Sequence, residues 1–145
     1  SVPKPHSAFE SYILFITPIN GLSWIKGIGK DIQTNAYGVE LRLAFSSFKD
    51  RLENVYGNSD ETDFIMEDSI WCEPKDWLRA IQLKERFLCA TWKADYGSKM
   101  KESLVSVSLI ASAIDDSTGF LSIEYEFSNN YLAERELILF EDECL

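Results

Sequence analysis

Carboxylates are the residues of this chain whose number and spacing could do chemistry, either by moving protons or by binding positive charge. Asp60, Glu61 and Asp63 crowd four positions, with Glu67 and Asp68 close behind; Asp115 and Asp116 are adjacent, and Glu124 and Glu126 alternate within a stretch of strand character. Two carboxylates two residues apart on a strand share one face at about 7 Å, a spacing that could suit general acid–base work. The expected role of Glu124 and Glu126 is nevertheless a solvated outer face, because the partners that would make them catalytic are missing. The only histidine, His6, sits beside Pro3 and Pro5 in what reads as a loose arm over residues 1–8. No Ser–His, Cys–His or histidine–metal arrangement can be assembled around a fixed imidazole. Gly27-Ile28-Gly29-Lys30 superficially suggests a phosphate loop, but the GxxxxGK[ST] spacing is absent and a tight turn explains it. Asp60, Glu61 and Asp63 lack the Asp-x-Asp-x-Asp-Gly order of a calcium loop. Cys72, Cys89 and Cys144 are an odd number without CxxC spacing and read as free thiols in a reducing compartment, Cys89 as a small buried hydrophobe. The expectation is a protein with no enzymatic activity, no cofactor and no metal.

Charge then becomes the informative property. The 24 acidic and 14 basic residues give a net charge of −10 over 145 residues, and the excess is unevenly placed. Residues 53–76 hold eight acids and one base, and residues 101–145 hold ten acids and two bases, while residues 1–52 and 77–100 are mildly basic. Such a chain repels nucleic acid and anionic lipid and steers toward something basic. Arg79, Lys84, Arg86, Lys93 and Lys99 do interleave with Trp77, Trp92 and Tyr96, as stacking platforms for single strands require. However, Trp77 and Trp92 fall on apolar faces and belong to a core, and the net charge opposes phosphate contacts. The expected partner is a cationic protein, neither nucleic acid nor membrane, and the candidate contact residues are Asp60, Glu61, Asp63, Asp68, Asp115, Asp116, Glu124 and Glu126. Phe64 and Tyr131 are candidate aromatic neighbours.

These residues need elements to position them. With 46% apolar residues, the chain is long enough for one domain over residues 1–145 with its own core. Phe9 to Thr17 reads as a buried strand ended by Pro18, Gly21 to Lys30 as a long turn carrying Trp24, and Tyr37 to Leu43 as a half-buried strand. Phe45, Phe48, Leu52, Val55 and Tyr56 recur at helical spacing, with Ser46 or Ser47 as cap and Gly57 as stop. Asn58 to Asp68 reads as an acidic loop, and Pro74 opens a short helix with Trp77, Leu78 and Ile81 on its apolar face. Arg86 to Tyr96 and Leu104 to Ile114 alternate as strands. Asp115-Asp116-Ser117-Thr118-Gly119 makes a turn into a strand with Leu121, Ile123, Tyr125 and Phe127 inward. Asn129 or Asn130 caps a last helix through Phe140. The fold class expected is α+β, a twisted antiparallel β-sheet with helices packed on one face. The longest apolar run, Tyr12 to Ile19, is broken by Thr17 and Pro18 and is too short for a bilayer. Ser1 would permit removal of an initiator methionine, and the cytoplasm is the expected location.

Ser69-Ile70-Trp71-Cys72-Glu73-Pro74-Lys75-Asp76-Trp77, followed by Lys84-Glu85-Arg86 and Trp92, resembles small bacterial immunity proteins. So does the strand Gly119-Phe120-Leu121-Ser122-Ile123-Glu124-Tyr125-Glu126-Phe127. The likeness covers about residues 37–128, and size and acidity match the immunity proteins of contact-dependent growth inhibition systems. The resemblance implies a cytoplasmic inhibitor that binds a cognate toxin domain, the C-terminal nuclease of a surface effector. An acidic surface would block that toxin's active site or substrate cleft. It assigns no individual contact residue. A different class, an acidic chaperone or adaptor for a secreted effector, shares the small α+β fold and low pI, and would show itself as a homodimer binding an extended segment.

Overall fold

The computed structural model describes residues 7–94 and 103–143. Residues 1–6 of the arm expected over 1–8, with Tyr96, Lys99 and Cys144, lie outside them. Strands β1 (Phe9–Thr17), β2 (Gly21–Gly29), β3 (Ile32–Gln33), β4 (Asp60–Ile65), β5 (Arg86–Lys93), β6 (Leu104–Ala113) and β7 (Thr118–Phe127) form one sheet. Its order is β1-β2-β7-β6-β5-β4, with β3 pairing β7 beyond the end of β2. Every pairing is antiparallel. Helices α1 (Val39–Tyr56), α2 (Trp77–Gln82, led by a 3₁₀ turn over Pro74–Asp76) and α3 (Asn130–Glu143) complete an α+β fold with helices on an antiparallel sheet.

Alternation divides the sheet into two faces. Leu88, Ala90 and Trp92 on β5, Val107, Leu109 and Ala111 on β6, and Leu121 and Ile123 on β7 are buried. Onto them pack Leu41, Phe45 and Leu52 of α1 and Trp77, Leu78 and Ile81 of α2. The Trp92 indole N–H donates to the Gly57 carbonyl at 2.8 Å, which ties β5 to the end of α1. The other face carries Phe87, Cys89 and Thr91, then Ser106, Ser108, Ile110 and Ser112, then Phe120, Ser122, Glu124 and Glu126. These positions are opposed in the register Cys89–Ile110–Ser122 and Thr91–Ser108–Glu124. Cys89 therefore stands half-buried on the face opposite α1 and α2, not in the core expected for it. α3 packs at the β1–β2 end and buries Ala133.

Four elements differ from expectation, each for a physical reason. α1 begins at Val39 rather than beyond Ser46, so Tyr37 to Leu43 is not a strand. Leu41, Phe45, Phe48 and Leu52 continue one helical stripe, while Val39 and Leu43, which completed the apparent alternation, point to solvent. The start is Gly38 at φ +68°, where a Cβ would run into the Trp77 ring; Asn35 Oδ1 accepts from the Val39 amide at 3.1 Å. Gly21 to Lys30 is not a turn: Gly27 and Gly29 lie within strand β2, where neighbouring atoms crowd the place of a side chain. A Cβ at Gly27 would lie 3.0 Å from Ile123 Cγ2, and one at Gly29 would lie 2.6 Å from the Leu121 carbonyl oxygen. Asp60–Ile65 is an edge strand, not a loop. β1 is the opposite edge, with Ile13, Leu14 and Ile16 exposed rather than buried. Among the described residues no helix is long and apolar enough to cross a membrane.

Candidate functional site

β4 is built from Asp-Glu-Thr-Asp-Phe-Ile, a sequence that no interior strand could carry. Among the described residues it pairs only with β5, and its charges stand where edge strands commonly hold them, against pairing with further strands. Alternation sends Asp60, Thr62 and Phe64 to the face away from α1 and α2, and Glu61 and Asp63 to the helix side. Glu61 meets Lys49 of α1 at 2.7 Å, and that contact is the main cause holding the Lys49 ammonium above the ordinary lysine value. Asp63 accepts from Arg86 Nε at 3.0 Å. The basic stretch 77–100 thus spends Arg86 on the acidic edge, and Arg79 stacks 5.4 Å over the Trp71 ring.

Past Ile65 the chain turns tightly: the Met66 amide donates to the Glu85 carbonyl at 2.7 Å and the Ser69 amide to the Met66 carbonyl at 3.0 Å. This turn sets Glu67 and Asp68 beside the end of β4. Phe64, Met66, Glu67 and Asp68 line a shallow concavity of about 460 Å³. Phe64 opposes Phe87 across β4–β5, and their rings stack with centroids 6.4 Å apart at 21°. Both rings are about half exposed, Phe64 at 53% and Phe87 at 43%. Among the described residues Asp60, Glu67 and Asp68 take part in no ion pair, so the edge keeps an unneutralised negative field around an apolar aromatic step. Such a surface can attract and seat cationic side chains, and Phe64 can take the stem of a lysine or stack on an arginine.

The remaining candidates are not part of this cluster. Three strand spacings, about 14 Å, separate β4 from β7. There Glu124 stands in the middle of the sheet face, 3.5 Å from Lys26 on β2. Glu126 accepts from the Ser106 hydroxyl at 3.3 Å and from the Asn130 side-chain Nδ2 at 3.2 Å, joining β6, β7 and α3. These two carboxylates do stand on the face turned away from the main helices, but they are half-buried and partnered. Asp115 and Asp116 occupy the β6–β7 turn, where the Ser117 amide donates to Asp115 Oδ1 at 3.0 Å. That backbone bond is the main cause lowering the Asp115 carboxyl below the ordinary aspartate value. Tyr131 lies on α3, beyond the far side of the sheet from Phe64.

Sequence reasoning missed the Phe64–Phe87 pair. Phe87 has its own signal, an aromatic alternating with the core residues Leu88 and Ala90 and so destined for the opposite face, but its partner lies in a stretch with the composition of a loop. The four acids Asp60, Glu61, Asp63 and Asp68 are brought together; Asp115, Asp116, Glu124 and Glu126 are distributed elsewhere. Among the described residues no group of three or more His, Cys, Asp or Glu side chains is placed to hold a metal ion. Comparison with family models, with curated proteins and with solved structures finds no match to this chain.

Proposed function

We propose that this chain is a non-enzymatic immunity protein that binds a cognate basic toxin domain, a nuclease, and covers its substrate cleft with the acidic β4 edge. The observation that carries this reading is the placing of Asp60, Glu67 and Asp68, carboxylates without an ion pair among the described residues, on the edge strand and following turn that carry the exposed Phe64–Phe87 stack. A nuclease must present lysines and arginines to phosphates, and a surface of carboxylates offers those cations a competing partner. Long-range attraction accelerates the encounter, and the aromatic step supplies the desolvated anchor that slows release.

The test is suppression of toxicity by co-expression with the neighbouring effector's C-terminal domain, followed by purification of the complex. A stable complex weakened by Asp60→Lys with Asp68→Lys, and indifferent to Glu124→Lys, supports the edge as the contact. Suppression that survives every reversal on β4 and its following turn would sink it. An acidic chaperone for a secreted effector is the second reading, favoured by the exposed apolar residues of β1 and α3. It requires binding to an unfolded effector segment and no suppression of a folded toxin.

A further inference from the structure

The last helix is apolar on both sides. Ala133 is fully buried where α3 packs at the β1–β2 end, yet Leu137, Ile138, Leu139 and Phe140, one complete turn, are all exposed. A surface helix keeps one face polar, and a helix that is apolar all round is a covered one. At about 3.6 residues per turn, Tyr131, Leu132, Arg135, Ile138, Leu139 and position 142 share roughly a third of the circumference, centred opposite Ala133. The four apolar members of this outer face are between 53% and 65% exposed. Beside it an apolar groove of about 500 Å³, lined by Leu132, Leu139 and Phe140, runs to Pro18 and Ile19 of the β1–β2 turn.

We infer that this outer face is the interface of a homodimer, α3 packing antiparallel against α3 of a second copy. The order of residues along the face selects a copy: a cation at 135, an apolar pair at 138 and 139, and an aspartate in the sequence at 142. Such a stripe is complementary to itself when reversed. A two-fold axis between Ile138 and Leu139 sets Arg135 of each copy opposite position 142 of the other and packs the two apolar pairs around the axis. Among the described residues Arg135 has no ion pair; it stacks over Tyr131, 5.8 Å from the ring centre, and so stands on the outer face. Area is sufficient as well. At roughly 150–200 Å² for each fully exposed large apolar residue, Ile19, Tyr131, Leu132, Ile138, Leu139 and Phe140 offer about 650 Å² per copy. A stable interface buries about 800 Å² per partner, about two-thirds of it apolar in homodimers. The net charge permits the contact, because α3 lies at the β1–β2 end while the acidic β4 is the opposite edge of the sheet. A lipid surface fits less well: α3 holds five acids and one base, where an interfacial helix carries lysine and arginine on its polar side.

Sedimentation equilibrium of the full chain between about 1 and 200 µM tests this, and a dimer is expected. Arg135→Glu alone and Asp142→Arg alone each set like charges together twice across the axis and should weaken the dimer at least about tenfold. The two combined exchange the charges and should restore it to within about threefold of the native constant. Arg135 is exposed and outside the Glu136 clamp, and the restored variant shows in itself that the fold tolerates both changes. Asp60→Lys with Asp68→Lys, on the far edge, should leave the dimer intact. A monomer at about 200 µM overturns the inference, and one that binds phosphatidylcholine vesicles gives the face to lipid instead. So does a dimer that survives both single reversals, or one that the combined variant fails to restore. Toxin binding through β4 stands or falls separately, since it is read from the complex and not from the mass of the free protein. Nor does a dimer select the chaperone reading, which requires an unfolded segment to bind.

Discussion

Two residues separate what holds the molecule together from what it presents. Gly38 combines a left-handed backbone with a van der Waals contact that leaves no room for a Cβ against Trp77. Both features act against any other residue: the conformation costs an L-residue about 1–2 kcal/mol, and overpacking a buried indole costs about 1–3 more. Gly38→Ala is expected to lower stability by about 2–5 kcal/mol, read as a reduced urea midpoint with unchanged slope. Phe64 is the reverse case. Its ring is half exposed and touches chiefly Phe87, so Phe64→Ala should shift stability by less than about 1 kcal/mol. If it is the anchor of the interface, the same substitution weakens partner binding at least about tenfold, by the usual cost of losing a hot-spot aromatic. An unchanged dissociation constant, measured calorimetrically, would remove Phe64 from the contact.

At the scale of elements, a carboxylate on α3 fastens that helix to the β1–β2 turn. Glu136 accepts from the Ile19 amide at 3.0 Å, the Asn20 amide at 3.1 Å and the Asn20 side chain at 2.7 Å, clamping the helix to the β1–β2 turn. Partial desolvation pulls its pKa up, but the bonds from Thr17, Ile19 and Asn20 together outweigh it, so the carboxyl sits below the ordinary value of 4.5. A depressed carboxylate stabilises the folded arrangement above its unfolded pKa, and that contribution is lost as pH falls through the folded value. α3 amides should therefore exchange faster once pH drops below 4.5, after correction for intrinsic rates, and Glu136→Gln should produce the same release at neutral pH. Equal α3 protection in the variant would show that other contacts hold the helix.

The elements legible in the sequence were those with a buried face and a clear period: the β6–β7 hairpin, the short helix after Pro74, and the stripe Phe45, Phe48, Leu52. What escaped was fixed by distant partners. β2 reads as a turn because Gly27 and Gly29 exist to admit Ile123 and the Leu121 carbonyl, which are nearly 100 residues away in sequence. β4 reads as a loop because both of its faces at the sheet edge tolerate charge. The acidic residues of the candidate site were visible as a run, but not their division between an edge and a sheet face.

On the scale of the whole molecule, the sheet face around Glu124 and the β4 edge make different electrostatic predictions. Glu124 is paired with Lys26, and Glu126 is tied into hydrogen bonds, so reversing them perturbs local structure more than long-range field. Asp60, Glu67 and Asp68 face solvent without an ionic partner among the described residues, and their field extends about a Debye length of 8–10 Å at physiological salt. Charge-steered association slows with added salt, and removing the steering charges lowers both the rate and its salt dependence.

The most direct measurement is the association rate of the cognate toxin domain, by stopped-flow fluorescence between 20 and 500 mM salt. It would be made with the native chain, with Asp60→Lys, Glu67→Lys and Asp68→Lys combined, and with Glu124→Lys and Glu126→Lys combined. If the β4 edge receives the partner, the native rate falls steeply with salt, and the edge variant is at least about tenfold slower at low salt with a flattened dependence. The sheet-face variant should keep most of the native rate. A rate indifferent to the three edge reversals and to salt would contradict the assignment of this edge as the surface that captures a basic toxin.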